Sequence, residues 1–366
     1  LCLFLLRHSQ WSVREPCLEK GRKYVSQELL LSAGFIGSYV VRLLLDWGYH
    51  VKGTVRDANS EEKTSWIRDL AKGRPGKLEL FSADLNTPGS FDDAVEGCDF
   101  VCHVASIVCL KVSDPQTVVD VAVEGTRNVF SSILKHKTAT RVVFTSSAAA
   151  VMDYSSNRVL TEEDWNQNWD IHDPYPMGKT LAEKFAWKTV EDFKGQAWNF
   201  DLVTICPTMV FGKAMREEHA RTSLNVIRQL MENRLFLAPS LHFSIVHVDD
   251  VALAHVLALE KETAKGRYIL CNGDTLSMLE IADVIRKKYP RSNVPRYAMP
   301  TFFMYLAPLI LPGTKTAIVA RHFRNSPTFD NTKSKKDLGL KYHSSEEAIL
   351  DAAANFPACW ENGLAS

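Results

Sequence analysis

The stretch Ser32-Ala33-Gly34-Phe35-Ile36-Gly37-Ser38 decides the fold, because it opens the first amphipathic segment of a long alternating pattern. Gly34 would let the backbone approach a pyrophosphate, and Gly37 would let the next helix pack closely on a sheet with its N-terminus facing the phosphates. Two glycines three residues apart are common for packing reasons alone. The stretch therefore predicts a nucleotide site only in combination with further motifs along the chain.

Beyond this stretch, short apolar or β-branched runs alternate with longer amphipathic runs. The predicted strands are His50–Val55, Leu78–Ser82, Phe100–Val104, Arg141–Ser146, Leu202–Cys206, Phe243–Val248 and Arg267–Cys271. The predicted helices are Ile36–Trp47, Ser60–Leu70, Pro115–His136, Tyr175–Val190, Asn225–Glu232, Val251–Glu260 and Leu279–Lys288. Strand, helix and strand at this spacing predict an α/β fold, a Rossmann-like doubly wound parallel sheet with helices on both faces.

Length and composition exclude several classes of protein. The chain has 366 residues, with 43 Lys and Arg against 43 Asp and Glu and 46% hydrophobic residues, as in an ordinary soluble protein of two or three domains or one large α/β domain. The balanced charge argues against a nucleic-acid partner. The longest apolar run, Phe302 to Leu311, is broken by Pro308 and is too short to span a membrane, so no transmembrane segment is expected.

Eight cysteines occur without a C-x-x-C pair or a nearby histidine in ligand spacing. Neither a disulfide framework nor a metal site is expected, and buried free thiols predict a reducing, cytoplasmic location. The opening Leu1–Leu6 run lacks a small-residue cleavage site and is a poor match to a secretory signal.

Residues at the predicted strand ends suggest which dinucleotide would bind. Arg56-Asp57 follows the His50–Val55 strand, 22 residues beyond Gly34, near the offset at which such folds read the adenosine ribose. A guanidinium there can hold a 2′-phosphate, so Arg56 favours NADP, with Lys63 as a second positive charge, while Asp57 keeps NAD in play. Asp84 would lie near the adenine edge, and the small Ala105 would leave room beside the ribose-phosphate.

Two segments supply a candidate acid–base set. Phe144-Thr145-Ser146-Ser147-Ala148 ends a strand, and Tyr175-Pro176-Met177-Gly178-Lys179 begins a helix. Tyrosine and lysine four residues apart share a helix face, and an adjacent cation lowers the pKa of a phenol. A serine hydroxyl at the strand end would orient a reacting carbonyl. Taken alone, Y-x-x-x-K is usually a surface pair, so the prediction depends on its combination with the glycine turn.

Taken in order, these motifs resemble one family. The matching stretches are Gly34–Ser38, Gly53–Asp57, Ala83–Leu85, His103–Ser106, Val143–Ala148, Tyr175–Pro176, Lys179–Lys184, Cys206–Thr208, Val246–Ala252 and Gly266–Tyr268. The chain resembles the extended short-chain dehydrogenase/reductases, specifically the dihydroflavonol reductase-like aldehyde and ketone reductases, from about Leu29 to Phe356.

The resemblance implies a role for each matching position. Ser147 corresponds to the catalytic serine, with Ser146 as the second choice, Tyr175 to the proton donor, and Lys179 to the lysine that binds the nicotinamide ribose and lowers the tyrosine pKa. The implied cofactor is NADPH, with NAD less favoured, and the substrate is a small carbonyl compound. The implied cofactor-binding residues are Gly34, Phe35, Ile36, Gly37, Arg56, Lys63, Asp84, Leu85, Val104, Ala105, Ser106, Tyr175, Lys179, Pro207 and Thr208.

The resemblance also implies how the chain is organised. Residues 29–206 with 243–273 would form the dinucleotide-binding core, and residues 207–242 with 274–356 a smaller substrate-binding lobe. Residues 1–28 form an atypical N-terminal segment and 357–366 a tail. The family's Thr and first Gly of the phosphate turn are replaced by Leu30 and Leu31, and a leucine tolerates the turn's backbone angles badly, so we expect impaired cofactor binding that Gly at position 31 would improve.

The sequence says less about the identity of the substrate. Met152 stands where dihydroflavonol reductases carry an Asn, and Trp169–Pro174 lacks the cinnamoyl-CoA reductase signature, so both activities are disfavoured. Thr301–Pro312 is a candidate apolar wall or lid. His247 and His255 are expected to be structural rather than metal ligands.

Three alternatives stay open. They are a hydroxysteroid dehydrogenase-type oxidation, a nucleotide-sugar epimerase that retains NAD without net consumption of cofactor, and a non-catalytic dinucleotide-fold protein. We expect a monomer or homodimer.

Overall fold

The computed structural model describes residues 24–28, 34–104, 114–153, 158–169, 173–221, 223–232, 235–300 and 327–356. Its strands are β1 (Tyr24–Glu28), β2 (His50–Val55), β3 (Lys77–Ser82), β4 (Phe100–His103), β5 (Arg141–Thr145), β6 (Asp201–Pro207), β7 (Met209–Phe211), β8 (His242–His247), β9 (Gly266–Leu270) and β10 (Thr275–Ser277). Its α-helices are α1 (Phe35–Asp46), α2 (Glu61–Asp69), α3 (Asp92–Val95), α4 (Pro115–His136), α5 (Pro174–Phe193), α6 (Asn225–Met231), α7 (Val248–Glu260), α8 (Met278–Lys288) and α9 (Ser345–Ala353).

Seven of the described strands form one parallel sheet in the order β3-β2-β1-β4-β5-β6-β9. Helices α1 and α7 pack together, and so do α4 and α5, each pair burying its own apolar cluster against the sheet. Apolar strands such as β5 (Arg141–Thr145), buried along its whole length, require this cover on both faces. The predicted doubly wound α/β fold is confirmed.

The middle of the sheet holds a strand that the sequence pattern indicated only weakly. β1 pairs with β2 on one side and β4 on the other, so residues 24–28 belong to the sheet. Assigning all of residues 1–28 to a segment outside the core is wrong for these five, because their backbone groups fill the gap between β2 and β4.

A second, three-stranded sheet joins β10, β8 and β7. The predicted strand Phe243–Val248 was placed in the dinucleotide core, but as β8 it pairs in parallel with β7 and antiparallel with β10. Strands β7 and β10 have three residues each, which is too few to show a periodic pattern. The sequence therefore does not predict that they pair with β8. The division into core and lobe otherwise stays a prediction.

Helix boundaries follow their capping residues. α4 begins at Pro115, as predicted, because Asp114 accepts a hydrogen bond from the Gln116 backbone N–H at 3.0 Å, and Lys137 in the left-handed conformation ends it. α7 begins at Val248 rather than Val251, because His247 Nδ1 accepts from the Asp249 backbone N–H. No helix within the described ranges is long and apolar enough to cross a membrane.

Candidate active site

The order of the main sheet reverses between β1 and β4, from which the chain winds outward in opposite directions. Parallel sheets bind ligands at such a switch point, beyond the carboxyl ends of the strands. α1 begins at this edge, directly after Gly34. The candidate site is therefore built from the segments that come after the strands on either side of the switch point.

The first turn of α1 fits an anion. Gly34 is extended, with φ −82° and ψ 157°, and places no side chain over the helix start, while the first turn carries no acidic residue. The backbone N–H groups of Phe35, Ile36 and Gly37 thus point out of the helix with the positive end of its dipole. Such a terminus suits a pyrophosphate. Leu30 and Leu31, where we expected the turn to be impaired, lie outside the described residues.

The two candidate ribose-reading residues after β2 behave differently. Arg56 is exposed, and within the described chain its guanidinium forms no hydrogen bond or ion pair. Asp57 is also exposed, but its Oδ1 accepts the Asn59 backbone N–H at 3.0 Å and so shapes the turn. Lys63 is exposed on the following helix. An exposed cation at this edge is consistent with a 2′-phosphate.

The segments after β3 and β4 are more closed. Asp84 Oδ1 accepts the Asn86 backbone N–H at 2.8 Å and shapes its own turn, and its place near an adenine edge stays a prediction. Leu85 is buried against Gly125, where an added Cβ would lie 2.9 Å from the Leu85 Cβ. Val104 is buried after the end of β4, while Ala105 and Ser106 lie outside the described residues.

The candidate acid–base side chains meet at the end of β5. Ser147 caps a short 3-10 helix by accepting the Ala149 backbone N–H at 3.1 Å, and its hydroxyl also hydrogen-bonds Tyr175 in the first turn of α5. Lys179, one turn further along α5, is buried and donates through Nζ to the Thr145 carbonyl oxygen at 3.0 Å. The structure therefore brings Ser147, Tyr175 and Lys179 together.

Burial dominates the ionisation of this cluster. Desolvation lowers the pKa of Lys179 to about 8, opposed by interactions with Cys206 and Glu183. The pKa of Tyr175 is raised, because the surrounding protein desolvates its hydroxyl more than the hydrogen bond with Ser147 compensates. The Lys179 ammonium is directed at the Thr145 carbonyl oxygen, and its effect on the tyrosine pKa stays a prediction.

Ser146, the second choice for the catalytic serine, is occupied elsewhere. Its side chain is buried and its hydroxyl donates to Glu183 Oε2 at 2.6 Å. Glu183 also receives Arg267 Nε at 2.7 Å. Neither Glu183 nor Arg267 was predicted as a site residue, although the spacing of Tyr175, Lys179 and Glu183 along one helix face was a signal that could have found Glu183.

The remaining candidates are tied to the scaffold. Pro207 ends β6, and the next residue, Thr208, donates both its backbone N–H and its hydroxyl to the Leu270 carbonyl oxygen at 3.0 Å, which joins the ends of β6 and β9. His255 bonds Thr145 Oγ1 and the Val251 carbonyl oxygen, each at 2.7 Å. The segment Thr301–Pro312 lies outside the described residues.

The described cysteines are buried free thiols, namely Cys98, Cys102, Cys206 and Cys271. The other four cysteines lie outside the described residues.

A parallel dinucleotide-type sheet that carries serine, tyrosine and lysine at the end of β5 and the start of α5 defines an extended short-chain dehydrogenase/reductase. The chain belongs to the 3-beta hydroxysteroid dehydrogenase/isomerase family, whose model matches residues 30–273. The predicted superfamily is thus confirmed.

Three similar proteins are reductases. An anthocyanidin reductase ((2S)-flavan-3-ol-forming) from Vitis vinifera is 37% identical over 285 residues, 72% of this chain and 80% of the relative. A dihydroflavonol 4-reductase from Arabidopsis thaliana is 36% identical over 272 residues, 72% and 69% of the two chains. The yeast methylglyoxal/isovaleraldehyde reductase Gre2, solved with NADPH, is 27% identical with a TM-score of 0.74, covering 91% of this chain and 97% of that one. These findings agree with the predicted oxidoreductase class and with NADP as its cofactor.

Proposed function

We propose that the protein is an NADPH-dependent carbonyl reductase, which converts an aldehyde or ketone to an alcohol and can run in reverse. The observation that carries the proposal is the hydrogen-bonded pair of Ser147 and Tyr175, with Lys179 one turn away at the carboxyl end of the sheet. The reductase activities named for the three relatives support it.

Each side chain has a distinct task in this reaction. Tyr175 donates the proton to the carbonyl oxygen, and its raised pKa keeps the phenol protonated at neutral pH, which suits reduction. Ser147 hydrogen-bonds the same oxygen and orients the carbonyl. Lys179 holds the nicotinamide ribose through its ammonium. When bound, reduced nicotinamide supplies the hydride that reaches the carbonyl carbon.

Four regions would hold the cofactor. The N–H groups at the start of α1 would bind the pyrophosphate, and Arg56 with Lys63 the 2′-phosphate that distinguishes NADP from NAD. Pro207 and Thr208 would flank the nicotinamide. The closed segment around Leu85 and Val104 would form the wall beside adenosine.

The substrate proposal stays at the class of small aldehydes and ketones, bound between the core and the smaller lobe. Met152 stands in place of an asparagine, so flavonoids stay disfavoured as substrates. Two of the relatives are nevertheless named as reductases of flavonoid compounds. A cytoplasmic location and a monomeric or homodimeric state also stay predictions.

Tyr175→Phe tests the proposed proton donor. We expect NADPH-dependent reduction of isovaleraldehyde and of a panel of ketones to fall by about 10³-fold or more, because the variant has no proton to donate. Tyr297→Phe removes the hydroxyl of an exposed tyrosine, 72% accessible, and serves as the matched control. Unfolding followed with and without NADPH checks that Tyr175→Phe still folds and binds. Unchanged turnover in a folded Tyr175→Phe protein would remove the assigned acid.

A further inference from the structure

Glu183 is a carboxylate on α5 that is fully buried, with no exposed surface. It lies one turn beyond Lys179 and two turns beyond Tyr175, so the three share one helix face. Buried charges are seldom tolerated unless they are paired and hydrogen-bonded. Its donors are Ser146 Oγ at 2.6 Å, Arg267 Nε at 2.7 Å, Thr204 Oγ1 at 2.9 Å, Arg267 Nη2 at 3.2 Å and Trp187 Nε1 at 3.3 Å.

Hydrogen bonds attach α5 to the segment that runs from the end of β5 to Ser147. Lys179 Nζ donates to the Thr145 carbonyl oxygen at 3.0 Å, and the hydroxyl of the next residue, Ser146, donates to Glu183. Two consecutive residues at the end of β5 are therefore bonded to two residues of α5 that are one turn apart. Ser147 comes immediately after them, so these bonds fix where its hydroxyl lies relative to the start of the same helix.

The carboxylate is itself held in place. Arg267, buried in β9, contacts it through two nitrogens and donates through Nη1 to the Glu162 carbonyl oxygen at 2.8 Å. The guanidinium also stacks on Trp165, 3.8 Å from the ring centroid. A planar guanidinium bound on three sides gives the carboxylate one orientation.

We propose that Glu183 is a positioning residue for the proposed reduction: through Ser146, its carboxylate sets the Ser147 hydroxyl against Tyr175, with Arg267 fixing the carboxylate. The inference rests on the proposed function, because it explains how the acid–base pair is aligned.

The same carboxylate acts on Lys179. The ionisable groups that face Lys179 are His103 on β4, Cys206 on β6 and Glu183 on its own helix. Burial lowers the pKa of His103 to about 3 and raises the pKa of the Cys206 thiol, so both are neutral near pH 7. Glu183 is then the group among these three whose charge favours the Lys179 ammonium.

Ser146→Ala and Thr204→Val form a matched pair that tests the proposal. Each removes one buried hydroxyl that donates to Glu183, but Ser146 adjoins Ser147 whereas Thr204 lies on β6. We expect kcat to fall about tenfold in Ser146→Ala and to change by less than about twofold in Thr204→Val, with similar losses of melting temperature. Equal kcat in the two variants would overturn the proposal and leave Glu183 a structural residue.

Glu183→Gln adds a readout that a structural role would not move. Loss of the negative charge should lower the pKa of Lys179, so the alkaline limb of the pH–rate profile should move to lower pH, while Thr204→Val keeps the wild-type profile. If a folded Glu183→Gln protein keeps the wild-type alkaline limb of the pH–rate profile, the claim that Glu183 stabilises the Lys179 ammonium is contradicted. If that variant does not fold because Arg267 loses its counter-charge, the matched hydroxyl pair decides.

The outcome is separable from that of the proposed function. An active Tyr175→Phe protein removes the reduction mechanism itself. An inactive Tyr175→Phe protein together with indistinguishable Ser146→Ala and Thr204→Val proteins removes only the positioning role.

Discussion

At the end of β5 the functional side chains are buried or partly buried and hydrogen-bonded within the protein, whereas at the end of β2 they project into solvent. Ser147, Tyr175 and Lys179 each have a defined partner within the protein. Arg56 and Lys63 are exposed, and Arg56 has no partner within the described chain. The two regions lie on the same edge of one parallel sheet but differ in how far the protein itself fixes their geometry.

The difference reflects the task proposed for each region. Proton transfer requires atoms within hydrogen-bond distance, so the groups are held before substrate arrives. A 2′-phosphate is bound by charge, and a solvated cation on a flexible side chain can reorient to meet it. Changes at the first region should therefore affect turnover, and changes at the second should affect cofactor affinity.

Ser147→Ala should give the larger effect. Loss of the hydroxyl that orients the carbonyl oxygen should reduce kcat about 10²- to 10³-fold, with little change in NADPH affinity measured by fluorescence titration. Ser146→Ala is the matched control at the neighbouring residue, with only the tenfold effect expected from positioning. A greater loss of kcat in Ser146→Ala than in Ser147→Ala would mean that Ser146, and not Ser147, is the catalytic serine.

Raising the pH should reduce the activity that depends on the residues at the end of β5. Because burial lowers the pKa of Lys179 to about 8, its ammonium loses a proton as the pH rises through that value. The value of kcat/KM for NADPH should then fall on the alkaline side, by about tenfold per pH unit once deprotonation dominates. The arginine of Lys179→Arg stays charged at these pH values, so the alkaline fall in kcat/KM should be absent from this variant. Its activity at neutral pH should be lower than that of the wild type. Persistence of the limb in Lys179→Arg would assign it to another group.

Much of the fold could be predicted because the main elements have clear periods. The helix Pro115–His136 and the strand His50–Val55 have the expected bounds, since each combines a regular apolar pattern with strong terminal signals. α3, with four residues, is too short to show a period, and β1, with the sequence Tyr-Val-Ser-Gln-Glu, is too polar to resemble a buried strand. Its place in the sheet is set by its neighbours β2 and β4 rather than by its own composition.

Site residues could be predicted from the sequence where the chemistry requires a particular residue type. They could not be predicted where a residue's role depends on its burial in the folded protein. Serine, tyrosine and lysine at this spacing indicated the acid–base set, and the structure brings them together. Glu183 lies in the same motif, but a glutamate on a helix is usually solvated, and only tertiary packing encloses it with Arg267. The raised pKa of Tyr175 likewise depends on how much protein surrounds its hydroxyl, which no sequence spacing reports.

Arg56→Ala should give the smallest effect and sharpen the contrast between the regions. Removing a solvated cation that would pair with a phosphate should weaken NADPH binding about tenfold, leave NADH binding unchanged and leave kcat at saturating NADPH within about twofold. Lys72→Ala removes an exposed cation beyond the end of α2, paired with Asp69, and is the control for a general loss of positive charge. The difference between wild type and Arg56→Ala should shrink as salt is raised, because solvent-exposed charges are screened. Equal weakening of NADPH and NADH would mean that Arg56 does not read the 2′-phosphate.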